Sequence, residues 1–170
     1  FYPWGVSTTG YDSAGRITSQ VSYSNRPTAI QIESLGSTPT LQGFESLLIP
    51  SVYDTASATI YDANGNAVAV IDRYQTTINV YDDQNNVVQT EKYGSPLTSI
   101  QIEALGPTTS MAQLQAMYGV QPTTSVTNVY ADGGIVASIS PATIYDPVLG
   151  GYAQGGLVTT YEYDAAGNLI

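Results

Sequence analysis

TAIQIESLG at residues 28–36 and TSIQIEALG at residues 98–106 are one nonamer written twice, seventy positions apart and identical at seven of nine positions. The match runs outward in both directions. Upstream, Tyr11-Asp12 aligns with Tyr81-Asp82 and Tyr23 with Tyr93; downstream, LQGFESLL (41–48) aligns with MAQLQAMY (111–118). A third copy then opens, TTINVYDDQNNVV (76–88) being matched by TTYEYDAAGNLI (159–170). Self-similarity at a fixed period means that one supersecondary unit is built repeatedly. The repeat therefore predicts two tandem modules, residues 1–96 with an N-terminal strand and residues 97–170 with an additional strand at about 157–170.

The type of module follows from local patterning. Val21-Ser22-Tyr23, Ile30-Gln31-Ile32-Glu33, Thr59-Ile60-Tyr61 and Thr77-Ile78-Asn79-Val80-Tyr81 alternate and are rich in Tyr, Val, Ile and Thr. This is strand chemistry with period two. Between these runs lie DSAGR (12–16), DANGN (62–66), DDQNN (82–86), ADGG (131–134) and DAAGN (164–168). Gly and Asn tolerate the positive φ that tight hairpin turns require, so each Tyr-Asp reads as a strand running into a turn. Residues 39–48 and 109–118 carry apolar residues at spacings of three and four, with Thr40 and Ser110 as N-caps, and predict one short helix per repeat. The expected fold is mainly β: two tandem β-sandwich-like modules of antiparallel hairpins, each with one short helix. Residues 141–156, with Pro147 and two Gly-Gly pairs, read as an extra hairpin or protruding loop in the second repeat.

YDSAGR, YDANGN and YDAAGN resemble the YD-repeat units of RHS-type proteins, secreted or surface-displayed bacterial proteins whose hairpins build large β-sheet shells or fibres. The resemblance implies an extracellular hairpin architecture. It covers about five short stretches; the seventy-residue period and the IQIE segment lie outside the YD pattern.

Composition excludes several functions. Apolar residues make up 42% of the chain and charged residues 11%, enough for a core. Net charge is −10, with Arg16, Arg26, Arg73 and Lys92 the only basic side chains. Such a surface repels phosphate backbones and anionic headgroups, so nucleic acid is not an expected partner. No apolar run reaches the roughly 18–20 residues of a membrane-spanning helix, so membrane insertion is not expected. With no His and no Cys, triads built on His and the common zinc sites are ruled out, and no phosphate-binding glycine motif occurs. Glu33 and Glu103 occupy equivalent positions in separate modules, a poor arrangement for a carboxylate pair sharing a cleft. The chain is expected not to be an enzyme.

Three site readings remain. Asp62, Asn64 and Asn66 place oxygen donors at every second position, and Asp82 and Asp83 open a second oxygen-rich turn; calcium is the cation such a set would take. The competing reading is a hairpin turn whose side chains cap their own backbone. Tyrosine outnumbers Phe and Trp, at 14 against 2 and 1. Its amphipathic ring suits strand faces and subunit contacts, and stacking on surface glycans is the alternative. Lys92, the single lysine, is a candidate for an isopeptide link to an Asn or Asp. A start at Phe1, without an initiator Met, suggests a processed, secreted chain with an extracellular or cell-surface location.

The third copy supplies the functional expectation. A strand at 157–170 lacking a partner would be an exposed edge, which another subunit's sheet can cover by strand addition. The expected self-assembly residues are Leu157, Val158, Tyr161, Tyr163, Leu169 and Ile170 at one end and Phe1, Tyr2 and Trp4 at the other. Together they predict a structural subunit of a secreted extracellular filament, polymerising head to tail with identical subunits. The alternative is a cell-surface adhesin or carbohydrate-binding module excised from a longer repeat protein.

Overall fold

The computed structural model describes residues 5–94, 97–105, 109–119 and 122–170. The chain is mainly β. Nine strands form one antiparallel sheet in strict sequence order: β1 (Val6–Tyr11), β2 (Ile17–Tyr23), β3 (Thr55–Tyr61), β4 (Ala67–Ile71), β5 (Thr76–Tyr81), β6 (Val87–Tyr93), β7 (Thr124–Ala131), β8 (Gly134–Asp146) and β9 (Gly151–Thr160). Helices α1 (Ala29–Glu33) and α2 (Leu41–Glu45) lie between β2 and β3, and α3 (Ser99–Glu103) and α4 (Met111–Tyr118) between β6 and β7. The repeat is thus strand–strand–helix–helix–strand–strand, with β1 to β4 mirrored by β5 to β8.

The sheet does not break at the boundary expected near residue 96. β6 pairs with β7 directly across it, Lys92 opposite Thr124 and Gln89 opposite Thr127. All described strands belong to this one sheet, and the helix pair α3–α4, rather than a second sheet, covers its face.

Ile30–Glu33 is helix, not the strand its alternation predicts, and so is Ile100–Glu103. The reason is the threonine before each run. Thr28 accepts from the Gln31 backbone N–H while the Gln31 side chain accepts from the Thr28 N–H, and Thr98 and Gln101 repeat the exchange. This capping box satisfies two otherwise orphaned donors and starts a helix. Each repeat therefore carries two short helices, not one. Ser110 and Gln113 form a third box at α4, which ends at Gly119 with a left-handed φ of 59°.

The core lies between α3–α4 and the sheet. Val21, Ala56, Ala58, Ala69, Ile71 and Ile78 face Leu97, Ile102 and Leu114, with Tyr93 and Tyr118 stacked at 4.5 Å between ring centroids. Alanines on β3 and β4 leave room for the helices to approach. Thr76, fully buried, shares a hydrogen bond with the Tyr118 hydroxyl, so neither polar group is left unpaired.

The C-terminal segment also differs from expectation. Residues 157–160 are not without a partner: Leu157 pairs with Ser140, Val158 with Ile139 and Thr160 with Ala137 on β8. Beyond them Tyr163 and Leu169 form a bridge that closes a small hairpin of their own. Residues 141–156 are the extra hairpin, an extension of β8 and β9 past the rest of the sheet.

Candidate functional site: the Tyr-Asp turns and the sheet edges

Four turns share one construction. In each, a Tyr-Asp pair ends the strand and the chain returns six residues after the Tyr: Tyr11 to Ile17, Tyr61 to Ala67, Tyr81 to Val87 and Tyr163 to Leu169. The third residue after the Asp takes positive φ, at Gly15, Gly65, Asn85 and Gly167. The Asp backbone N–H donates to the carbonyl four residues on, over 2.9–3.0 Å. Its carboxylate accepts the N–H of that same residue through Oδ1 and that residue's side chain through Oδ2, donated by Arg16, Asn66, Asn86 or Asn168. One carboxylate thereby holds the whole loop.

The charge state follows. The Arg16 N–H holds Asp12 below the usual carboxylate value, Arg16's charge assisting. The Asn86 N–H does the same for Asp82 and the Asn168 amide for Asp164. Partial burial pushes Asp62 up, and the Asn66 bonds outweigh it, so its pKa too is lowered.

This is where the residues expected to hold calcium sit. Asp62 and Asp82 present their oxygens to N–H donors inside their own turns, while Asn64 and Asp83 are exposed at the loop tips. The Asn66 amide also donates 2.8 Å to Asn85 Oδ1 and ties the second turn to the third. The arrangement is a self-capped loop; among the described residues no three acidic groups converge.

Three tyrosines at hairpin turns have a task of their own: Tyr81 and Tyr163, each before its Asp, and Tyr130 beside the 131–134 turn. The Tyr81 hydroxyl donates 3.1 Å to the Ala67 carbonyl, Tyr130 3.1 Å to Val87, and Tyr163 2.9 Å to Ile135. Each acceptor is the residue paired with the tyrosine of the preceding hairpin: Ala67 with Tyr61, Val87 with Tyr81 and Ile135 with Tyr130. Asn79 and Asn128 donate to the same two carbonyls, Ala67 and Val87. At the first junction Arg16 lies 4.3 Å over the Tyr61 ring instead. These turns are thus strutted against their neighbours, and at Tyr81, Tyr130 and Tyr163 the hydroxyl makes a bond that Phe could not.

Sequence reading missed a second cluster. Asp54, buried beneath the end of β2, accepts from Ser24 N–H (2.6 Å) and Oγ (2.7 Å) and from Ser51 N–H (2.7 Å). Burial raises its pKa and these three donors more than reverse it. Ser99 at the start of α3 donates to the Ser51 carbonyl over 2.8 Å, locking the second repeat's helix to the first repeat's loop. Glu103 on the same helix has one carboxylate oxygen buried without a partner; burial, with Asp54 nearby, pushes its pKa up. Its repeat-mate Glu33 is exposed. Opposite shifts in adjacent carboxylates are a signature of acid–base sites, but both Asp54 oxygens are occupied by donors, which makes it a staple. The alignment gave no hint, because Thr123 stands at the equivalent place and reaches the Lys92 carbonyl. Lys92 itself is exposed and takes part in no ion pair among the described residues.

The sheet has two outer strands, β1 and β9. Of the expected assembly residues, Leu157, Val158, Tyr163, Leu169 and Ile170 are exposed and Tyr161 is half-buried. Phe1, Tyr2 and Trp4 lie outside the described residues. A shallow cleft of about 380 Å³ beside the first turn is lined by Tyr11, Asp12, Arg16, Ile60, Tyr61 and Leu105. No helix among the described residues is long and apolar enough to cross a membrane. The chain matches no protein-family model and no curated protein.

Proposed function

We propose that the chain is a non-catalytic structural subunit of a secreted extracellular filament, joined head to tail to identical subunits by strand addition at the sheet edges. The observation that carries this reading is the open meander. β1 and β9 each have one edge without a strand partner among the described residues, and a meander accepts another strand at either end without rearrangement. Residues 157–160 donate from a folded edge, already paired on one side with β8. Contacts between two different ends of a molecule do not close on themselves and generate fibres.

The test is sedimentation and electron microscopy across a concentration series, with Gly156→Pro and Leu157→Pro made separately. Neighbouring residues direct their N–H groups to opposite edges of a strand, so one of these variants removes an outward donor and leaves β8 pairing intact. Shortened fibres in a folded variant are the expected result; a chain that stays monomeric at every concentration overturns the reading.

A second reading, a carbohydrate-binding module, draws on the cleft between Tyr11 and Tyr61 alone. Calorimetric titration with oligosaccharides, compared between the wild type and Tyr61→Ala, tests it.

A further inference from the structure

The two helix pairs have had different fates. α3–α4 sits on the sheet and buries Ile102 to 1% exposure. Seventy residues earlier, its counterpart Ile32 on α1 is 49% exposed, and Leu41 on α2 is 72% exposed. No residue of α1 or α2 is buried. An apolar helix pair of the kind that covers a sheet here leaves its side chains exposed or half-buried.

The sheet shows the reciprocal defect. Under α3–α4 run two cross-strand rows, Ala58–Ile71–Thr76 and Ile60–Ala69–Ile78. The repeat places Thr127–Ile139–Val158 and Val129–Ala137–Thr160 in the same rows on β7, β8 and β9. Directly opposed residues on antiparallel strands share a face, so this patch is on the face that α3–α4 covers and is continuous with the covered core through β6. Ile71 and Thr76 are fully buried, but their equivalents Ile139 and Val158 are 39% and 56% exposed.

We infer that the α1–α2 pair of one molecule docks on the β7–β9 face of a second copy, reproducing between chains the contact that α3–α4 makes within one. The inference rests on the self-association proposed above and adds a face contact that it requires beside the sheet edges. The helices bring Ile32, Leu41 and Phe44 where α3–α4 brings Ile102, Met111 and Leu114. The receiving rows hold Val129, Ala137, Ile139 and Val158 and no charged side chain. That is the composition of an interface core, from which charge is depleted. The two surfaces lie toward opposite ends of the sheet, α1 following the second strand and the patch occupying the last three, so each molecule uses one surface on each neighbour. With a net charge of −10 on every copy, added salt screens the repulsion and strengthens the contact.

The test uses Ile32→Asp, which spoils the helix surface, and Ile139→Asp, which spoils the sheet surface, on the full chain, with folding checked by circular dichroism. Each variant alone is expected to stay monomeric in sedimentation velocity where the wild type associates. Mixed, they are expected to form a 1:1 dimer that grows no further, because each retains the surface the other lacks. Folded variants that still form fibres overturn helix docking and leave strand addition standing. Two variants that stay monomeric when mixed also overturn it, and a wild type monomeric at all concentrations and salt levels overturns both.

Discussion

At the scale of single residues, the Tyr-Asp pair divides its labour between loop and neighbour. The Asp carboxylate closes its own turn through the N–H and side chain four residues on, and the Tyr hydroxyl reaches the exit carbonyl of the hairpin before. Tyr81→Phe keeps the ring and removes only the strut, so it is expected to lower stability by about 1 kcal/mol in chemical denaturation, the net worth of one such bond. The carboxylates titrate in opposite senses. Asp12, Asp62, Asp82 and Asp164 have folded pKa values below the ordinary 3.8, so what they contribute is present above that value and is lost as pH falls below it and through their folded values. Glu103 is raised above 4.5, so folding favours its neutral form and a penalty develops as pH rises past 4.5 toward its folded value. Glu103→Gln removes that penalty. Its melting temperature is expected to exceed the wild type's at about pH 7 and to match it at about pH 4, where both side chains are neutral; a uniform gain at both values would place the effect elsewhere.

At the scale of elements, one motif folds identically twice and packs differently. α1 and α3 have the same capping box, yet only α3 buries residues against the sheet, so at α1 the local capping bonds rather than packing hold the helix. Leu114→Ala, at a fully buried site, is expected to cost about 3 kcal/mol in denaturant unfolding, and Phe44→Ala, at the equivalent half-buried site, well under half as much in the isolated chain. These elements also show what was legible beforehand. The hairpins were readable because turn chemistry is local: Asp, Gly and Asn specify φ within five residues. The IQIE runs were misread because four residues of alternation fit strand and helix equally, and the deciding signal was Thr28 with Gln31, polar residues outside the apolar pattern. The Asp54 staple was illegible for another reason, since it joins residues thirty apart and has no counterpart in the second repeat. The same holds for the partner of residues 157–160. Alignment to the third copy suggested that none existed, whereas β8, the strand before them, pairs with them as β4 pairs with β5.

At the scale of the whole molecule, the seventy-residue echo runs through a single sheet, because β6 and β7 pair across the junction between copies. The strand order carries a consequence for how such a sheet is made and unmade. Every strand pairs only with the strands before and after it in the chain, so each hairpin can close as soon as its second strand exists, and no pairing waits for a distant segment. Loop closure is short at every step but the two helical crossings, a topology associated with fast folding. Read backwards, the same order means that a pull on the two ends peels hairpins one after another, each strand lifting from a single remaining neighbour. The resistance should be greatest where α3–α4 ties β2 through β6 together, which makes the helix-covered middle the last part of the sheet to come apart.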